Sequence, residues 1–198
     1  MYDNNEAVEH LQGIADGFLV HNRDIVTRCD DSLLRVVDGQ AYFLRRSRGY
    51  APQPLFLQAD CTGVLACGAE QKASFALSKG RAFFLSQHIG DLKNAETLSH
   101  YEGQIEHFQR LFGITPTRLV CDLHPDYFST AYAQERCQRE GLPLVQVQHH
   151  HAHMAACMAD TPASAVILDG LMRGKNVVVN IDGCCPDHAE RLKRGFHM

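Results

Sequence analysis

Hydrophobic positions in the second half of the chain recur at helical and strand spacings in turn. Between Thr97 and Phe112 apolar residues fall every three or four positions, which predicts an amphipathic helix with Gly113 as its C-terminal cap. Further on, the pattern predicts strands and helices in alternation at 118–122, 127–140, 144–148, 149–159 and 164–168. Strands that alternate with helices in this way predict an α/β domain with parallel strand pairs.

The first 50 residues show a different pattern. Residues 16–21 and 33–44 have the composition of strands, and Asp38-Gly39 is a typical hairpin turn within the second run. Residues 45–54 are basic and include two prolines, and such a change in composition predicts a domain boundary. Because so short a segment buries too little apolar surface to fold alone, we expect it to be the end of a larger domain.

Composition narrows the class of protein. The 198 residues are 45% hydrophobic and 21% charged, which excludes a disordered or fibrous chain. We expect no membrane association, because no apolar run approaches the roughly 18 residues of a membrane helix. The net charge of -4 argues against a nucleic-acid partner. The eight cysteines are scattered and form no CxxC motif, which favours reduced and mostly buried thiols. Together with the polar N-terminus, this predicts a cytoplasmic protein.

Four of the 12 histidines lie within residues 149–153, directly after a strand. His149 and His153 are four positions apart, so on a helix they share a face and could bind one metal ion, with zinc or ferrous iron suited to imidazole. His150 and His151 point elsewhere, where they could bind an anion or cap the strand end. The alternative is a solvated helix start without any ligand. A position at the carboxyl end of a parallel strand favours a binding site.

Two further polar groups follow predicted strands. Asp169 could complete the metal site, and Gly170 could let a phosphate approach the backbone, or the pair is only a turn. Asp122, at the end of strand 118–122, and His124 and Asp126 after it lie at the same edge of the sheet, although Asp126 could simply be the N-cap of the next helix.

The other charged candidates are less specific. The arginines of the basic segment could contact phosphate or carboxylate groups, or they belong to a solvated linker; they are Arg45, Arg46 and Arg48. Spacing alone assigns no role to Glu70 or Lys72.

Six short motifs occur in order along the chain. They are RCDDS at 28–32, RRSRGYAP at 45–52, ACGAE at 66–70, LSQHIGDL at 85–92, CDLHPDY at 121–127 and QHHHAH at 148–153. In this order and spacing they resemble the HypF-type carbamoyltransferases, which are hydrogenase maturation proteins. Members of that family are similar to an assembly of an acylphosphatase-like domain, paired zinc fingers, a YrdC-like domain and a Kae1-like domain.

The resemblance implies a domain organisation. Residues 1–50 resemble the C-terminal tail of the YrdC-like α/β domain with its linker, and residues 51–170 the first lobe of the Kae1-like domain, which has an actin-like ATPase fold. After Gly170 the glycine-rich phosphate loop of the family is replaced, and residues 171–198 form a divergent tail. Because the second lobe is missing, we expect this polypeptide to be a fragment or truncated form without transfer activity of its own.

The resemblance also implies an activity. The family takes carbamoyl phosphate and ATP, forms carbamoyl adenylate, and transfers the carbamoyl group to the C-terminal cysteine of HypE during nickel-iron hydrogenase maturation. By motif, His149 and His153 resemble the histidine ligands of a divalent metal, iron or zinc, and Asp169 its carboxylate ligand. The alternatives are a non-catalytic metal-binding or interaction module that keeps the docking surface of the family, and a product that folds poorly.

Overall fold

A computed structural model describes residues 2–57 and 59–159, with side chains as far as residue 156. The described helices are α1 (Asn4–Leu11), α2 (Ala95–Phe112), α3 (Phe128–Glu140) and α4 (His149–Ala159). The described strands are β1 (Leu33–Val37), β2 (Gln40–Arg45), β3 (Pro54–Phe56), β4 (Val64–Cys67), β5 (Phe75–Lys79), β6 (Ala82–Leu85), β7 (Arg118–Asp122) and β8 (Leu144–Val147). The predicted strand 164–168, Asp169, Gly170 and the tail 171–198 lie outside the described residues.

A six-stranded mixed sheet in the order β3-β6-β5-β4-β7-β8 is the framework of the molecule. Three neighbouring pairs are antiparallel: β3 with β6, β6 with β5, and β5 with β4. The next two pairs, β4 with β7 and β7 with β8, are parallel. The α/β fold class and the parallel pairing of strands 118–122 and 144–148 are therefore confirmed.

Side chains alternate across the central strands. Along β4 and β7, Leu65, Cys67, Leu119 and Cys121 are buried while the residues between them are more exposed. This period of two places one set of side chains on the covered face of the sheet. The five described cysteines are free, and three of them are buried in this core: Cys67, Cys121 and Cys137.

The α2 helix covers this core through the apolar stripe that the sequence predicts. Tyr101, Ile105 and Phe108, at spacings of four and three, are buried. The helix begins two residues before Thr97, because the Asn94 side chain accepts hydrogen bonds from the Glu96 and Thr97 amides.

Two further helices follow β7 and β8. The α3 helix packs on β7 and β8 through buried residues that include Ala133 and Cys137, and Arg136 of α3 donates a hydrogen bond to Gln109 of α2. Both α3 and α4 lie where the sequence predicts helices. In the described ranges no helix is long and apolar enough to cross a membrane.

Of the predictions for the N-terminal residues, the hairpin is confirmed and the strand over 16–21 is wrong. Strands β1 and β2 form the predicted hairpin with Asp38 and Gly39 in the turn, both at positive φ. Residues 16–21 form no strand, and α1 precedes them instead, with Asp3 accepting hydrogen bonds from the Asn5 and Glu6 amides. The run 16–21 is exposed and lies beside no described strand, so its apolar residues lack the pairing that a strand requires.

Candidate functional site

The candidate site lies where two parallel strands end. Asp122 is the last residue of β7 and pairs with Val147, the last residue of β8. Leu123 donates its amide proton to the Val147 carbonyl, so the register is maintained to the end of both strands. Because parallel strands have their carboxyl ends at the same edge, Asp122 and the start of α4 at His149 lie next to each other.

The first turns of α4 bring two imidazoles together. His149 and His153 have ring centroids 4.7 Å apart, and their Nε2 atoms face each other at 3.1 Å. A spacing of four residues produces this arrangement on a helix, as expected from the sequence. The neighbouring His150 and His151 contact each other, with ring centroids 4.4 Å apart, and are exposed.

A buried carboxylate stands behind the imidazole pair. Oδ2 of Asp122 lies 2.7 Å from Nδ1 of His149, and the Asp122 side chain is 8% exposed whereas that of His149 is 50% exposed. Oδ1 of Asp122 accepts the His124 amide proton at 2.9 Å. Sequence reasoning placed Asp122 at this edge of the sheet but did not predict its contact with His149.

The geometry of the pair fits a shared metal ion. Two nitrogens bound about 2.0–2.1 Å from one ion lie roughly 2.9–3.4 Å apart at angles of about 90–110°. The observed 3.1 Å falls in this interval. A carboxylate on the other ring nitrogen is the usual partner of a metal-binding histidine. Among the described side chains, which end at residue 156, no group of three or more metal-binding residues assembles. The expected third ligand, Asp169, lies outside the described residues, as does Gly170.

The structure corrects one interpretation of the loop after β7. Asp126 is not the N-cap of α3, which is Tyr127, and that residue forms no side-chain capping hydrogen bond. Asp126 is exposed, and its amide donates to Nδ1 of His124, whose ring stacks on Tyr127 with centroids 4.3 Å apart.

The cap of α3 comes from a distant residue that the sequence did not reveal. Glu70 is 2% exposed, and its Oε2 accepts the Phe128 amide proton at 2.8 Å. The sequence held only an indirect sign of this contact. A helix whose N-cap residue has no suitable side chain needs a hydrogen-bond acceptor from elsewhere. Glu70 thus ties the loop after β4 to the helix that follows β7.

Two arginines of the basic segment contact the protein's own backbone. Arg46 donates to the Gln53 carbonyl at 2.7 Å, and burial lowers the pKa of Arg46. Arg48 donates to the Cys29 carbonyl at 2.9 Å and lies 3.4 Å from the Asp31 carboxylate. The contacts of Arg48 hold segment 45–52 against segment 28–32, whereas Arg46 bonds within its own part of the chain.

Comparisons with known proteins agree with the architecture. A family model described as the HypF Kae1-like domain matches residues 59–160. The carbamoyltransferase HypF2 of Cupriavidus necator is 45% identical over 179 residues, which cover 86% of this chain and 22% of the relative. The carbamoyltransferase HypF of Synechocystis is 46% identical over 159 residues, which cover 80% of this chain and 20% of the relative. The chain therefore spans about a fifth of the length of these curated relatives.

A solved structure supports the same assignment. Full-length HypF in a phosphate- and nucleotide-bound form superposes with a TM-score of 0.74 at 46% identity, over 80% of this chain and 25% of that one. The expected α/β fold of the actin-like ATPase type is confirmed by this similarity and by the match to the Kae1-like domain. Residues 59–160, with the histidine pair at their carboxyl end, show that the chain belongs to the HypF family through its Kae1-like domain.

Proposed function

We propose that this chain supplies the first lobe of the Kae1-like domain to an ATP-dependent carbamoyltransferase. In this reaction the carbamoyl group passes from carbamoyl phosphate, through carbamoyl adenylate, to the C-terminal cysteine of HypE in the cytoplasm, during nickel-iron hydrogenase maturation. The relatives named carbamoyltransferases and the nucleotide-bound form of a HypF structure support the proposal. The observation that carries it is the His149–His153 pair at the carboxyl end of β8, within the matched domain.

The proposed site holds a divalent metal, iron or zinc. His149 and His153 would bind it through Nε2, and Asp169 would add a carboxylate oxygen. When bound, such an ion orients a phosphate group and acts as a Lewis acid. Gly170, which has no side chain, would let the phosphate of the adenylate approach the backbone.

The metal proposal is tested by replacing each histidine of the cluster. We expect His149→Ala and His153→Ala to lose the ferrous or zinc ion that the unsubstituted chain binds after reconstitution, as measured by elemental analysis. His150→Ala and His151→Ala are matched controls, because these exposed residues lie on the same helical turn. Equal metal content in all four variants would contradict the assigned ligands.

The transferase proposal is tested on the chain alone and on a chimera with a full-length relative. An actin-like ATPase binds its nucleotide between two lobes, so the 198-residue polypeptide should show no carbamoyl-phosphate-dependent exchange between ATP and pyrophosphate. Robust exchange would contradict the need for a second lobe. A chimera of HypF2 from Cupriavidus necator that carries these residues in place of its own should show exchange. A chimera that binds metal without exchange would favour the non-catalytic module instead.

A further inference from the structure

We infer that Asp122 is the positioning residue of the proposed metal site: it fixes His149 in the tautomer whose Nε2 lone pair faces His153. The inference deepens the proposed function and rests on it for the role of the site. Its structural basis is the 2.7 Å contact between Oδ2 of Asp122 and Nδ1 of His149.

Asp122 is itself held in place by contacts other than the one with His149. Its carbonyl accepts a hydrogen bond from the Thr130 hydroxyl of α3 at 3.0 Å, and its Oδ1 accepts the His124 amide proton at 2.9 Å. With its backbone in β7, the Asp122 side chain has one free acceptor, Oδ2, and this atom points at His149. Because the side chain is 8% exposed, solvent competes little for that position.

The chemistry of the contact determines where the proton lies. An ionised carboxylate only accepts hydrogen bonds, so Nδ1 of His149 must carry the proton that it donates to Asp122. In the neutral imidazole, Nε2 of His149 is then an acceptor with a free lone pair. That atom is the one 3.1 Å from Nε2 of His153.

The tautomer also assigns the second imidazole. With Nε2 of His149 as acceptor, Nε2–H of His153 donates the hydrogen bond between the rings in the metal-free protein. For Nε2 of His153 to bind a divalent cation as a neutral imidazole, its proton would have to leave to solvent, and Nδ1 would have to take up one proton from solvent. Asp122 therefore leaves Nε2 of His149 free to bind an ion without any change of tautomer, whereas His153 would have to change tautomer.

Asp122→Asn removes the charge of the side chain and keeps its shape. The amide oxygen of Asn can still accept the His124 amide proton, but its amino group donates to Nδ1 of His149 and moves the imidazole proton to Nε2. Asp91→Asn is the matched control, because Oδ1 of Asp91 accepts the Lys93 amide proton at 3.0 Å in a turn of the same kind, without a histidine contact among the hydrogen bonds described.

The decisive measurement is NMR of isotope-labelled imidazole nitrogens in the metal-free 198-residue chain. We expect Nδ1–H for His149 in the unsubstituted chain and in Asp91→Asn, and Nε2–H in Asp122→Asn. The same His149 tautomer in all three proteins would overturn the inference. A purely structural role for Asp122 would not move the imidazole proton while the fold is kept.

Zinc titration supplies the second readout. We expect the zinc affinity of Asp122→Asn to fall about 10–100-fold, as for other carboxylates that support a histidine ligand. Unchanged zinc affinity alongside a changed tautomer would overturn the positioning role and leave the metal proposal standing. Failure of the unsubstituted chain to bind zinc or ferrous ion would instead contradict the proposed metal site, and the tautomer of His149 would still be decided by NMR.

Discussion

The hairpin of β1 and β2 and the six-stranded sheet contain similar apolar residues but bury them very differently. Every residue of the hairpin strands is exposed, and Val36 and Leu44 are 70% and 59% exposed. In the sheet, Leu65 and Leu77 are fully buried. The Asp38-Gly39 turn sets how the two hairpin strands pair, whereas burial requires a second layer, which α2 and α3 provide for the sheet.

This difference is consistent with the expectation that residues 1–50 are the end of a larger domain, which stays a prediction. Hydrogen bonds of the segments that flank the hairpin join the two regions, among them one from Arg28 to the Glu96 carbonyl at 3.2 Å. His88 donates its amide proton to the Arg46 carbonyl at 2.9 Å, and Ser47 beside it is fully buried. Substitutions placed in matched pairs across the two regions should therefore have unequal effects.

The largest contrast is expected between two phenylalanines. Phe75 is 1% exposed and packs edge-to-face on Tyr101 and Phe108, so Phe75→Ala should lower the free energy of unfolding by about 3–5 kcal/mol. Phe43 in β2 is 43% exposed and contacts Tyr50, so Phe43→Ala should cost less than about 1.5 kcal/mol. Urea unfolding followed by circular dichroism measures both, and equal losses would show that the hairpin shares the core.

A smaller contrast is expected between two acidic residues. Glu70→Ala removes the acceptor of the Phe128 amide and should cost about 1–2 kcal/mol, because the first turn of α3 loses its capping acceptor. Glu70→Gln keeps an oxygen acceptor and should recover part of the loss. Asp31, whose exposed pair with Arg48 spans 3.4 Å, should contribute less than about 1 kcal/mol when replaced by Ala. Urea midpoints of the three variants decide the order.

Two helix caps of similar geometry should also differ. Asn94→Ala removes the cap of α2, whose buried stripe ties it to the core, and should cost about 1 kcal/mol of global stability. Asp3→Ala removes the cap of α1, which has no buried residue, and should leave the urea midpoint unchanged while amide exchange in α1 accelerates. A shift of the midpoint by Asp3→Ala would show that α1 unfolds together with the sheet.

A further contrast concerns pH. Burial, with a further contribution from Arg28 and an opposing one from Asp30, lowers the pKa of His100 on α2 to about 4. As the pH falls from about 6.5 towards this value, the unfolded chain binds a proton that the native protein does not, so stability is lost. His100→Gln should flatten the decline of the urea midpoint in this interval. His10→Gln in α1 is the comparison variant, and an unchanged decline in His100→Gln would contradict the assignment.

Local sequence patterns determined much of the parallel half of the sheet. The helix over 97–112, the strand over 118–122 and the helix that begins at His149 all occur where the sequence predicts them. The antiparallel strands β3 to β6 were not predicted, because they are short and lack a strong turn signal of the Asp-Gly kind.

The sequence by itself determined that His149 and His153 share a face, because the helical period of 3.6 residues places positions i and i+4 together. Only the tertiary structure decided that Asp122 stands behind His149 and that Glu70 caps α3. The Asp122–His149 contact joins residues that are 27 positions apart, and it depends on the parallel register of β7 with β8. The Glu70–Phe128 contact joins residues that are 58 positions apart, and it depends on the place of β4 beside β7. No local period encodes such pairings, since they arise from which strands become neighbours when the core is buried.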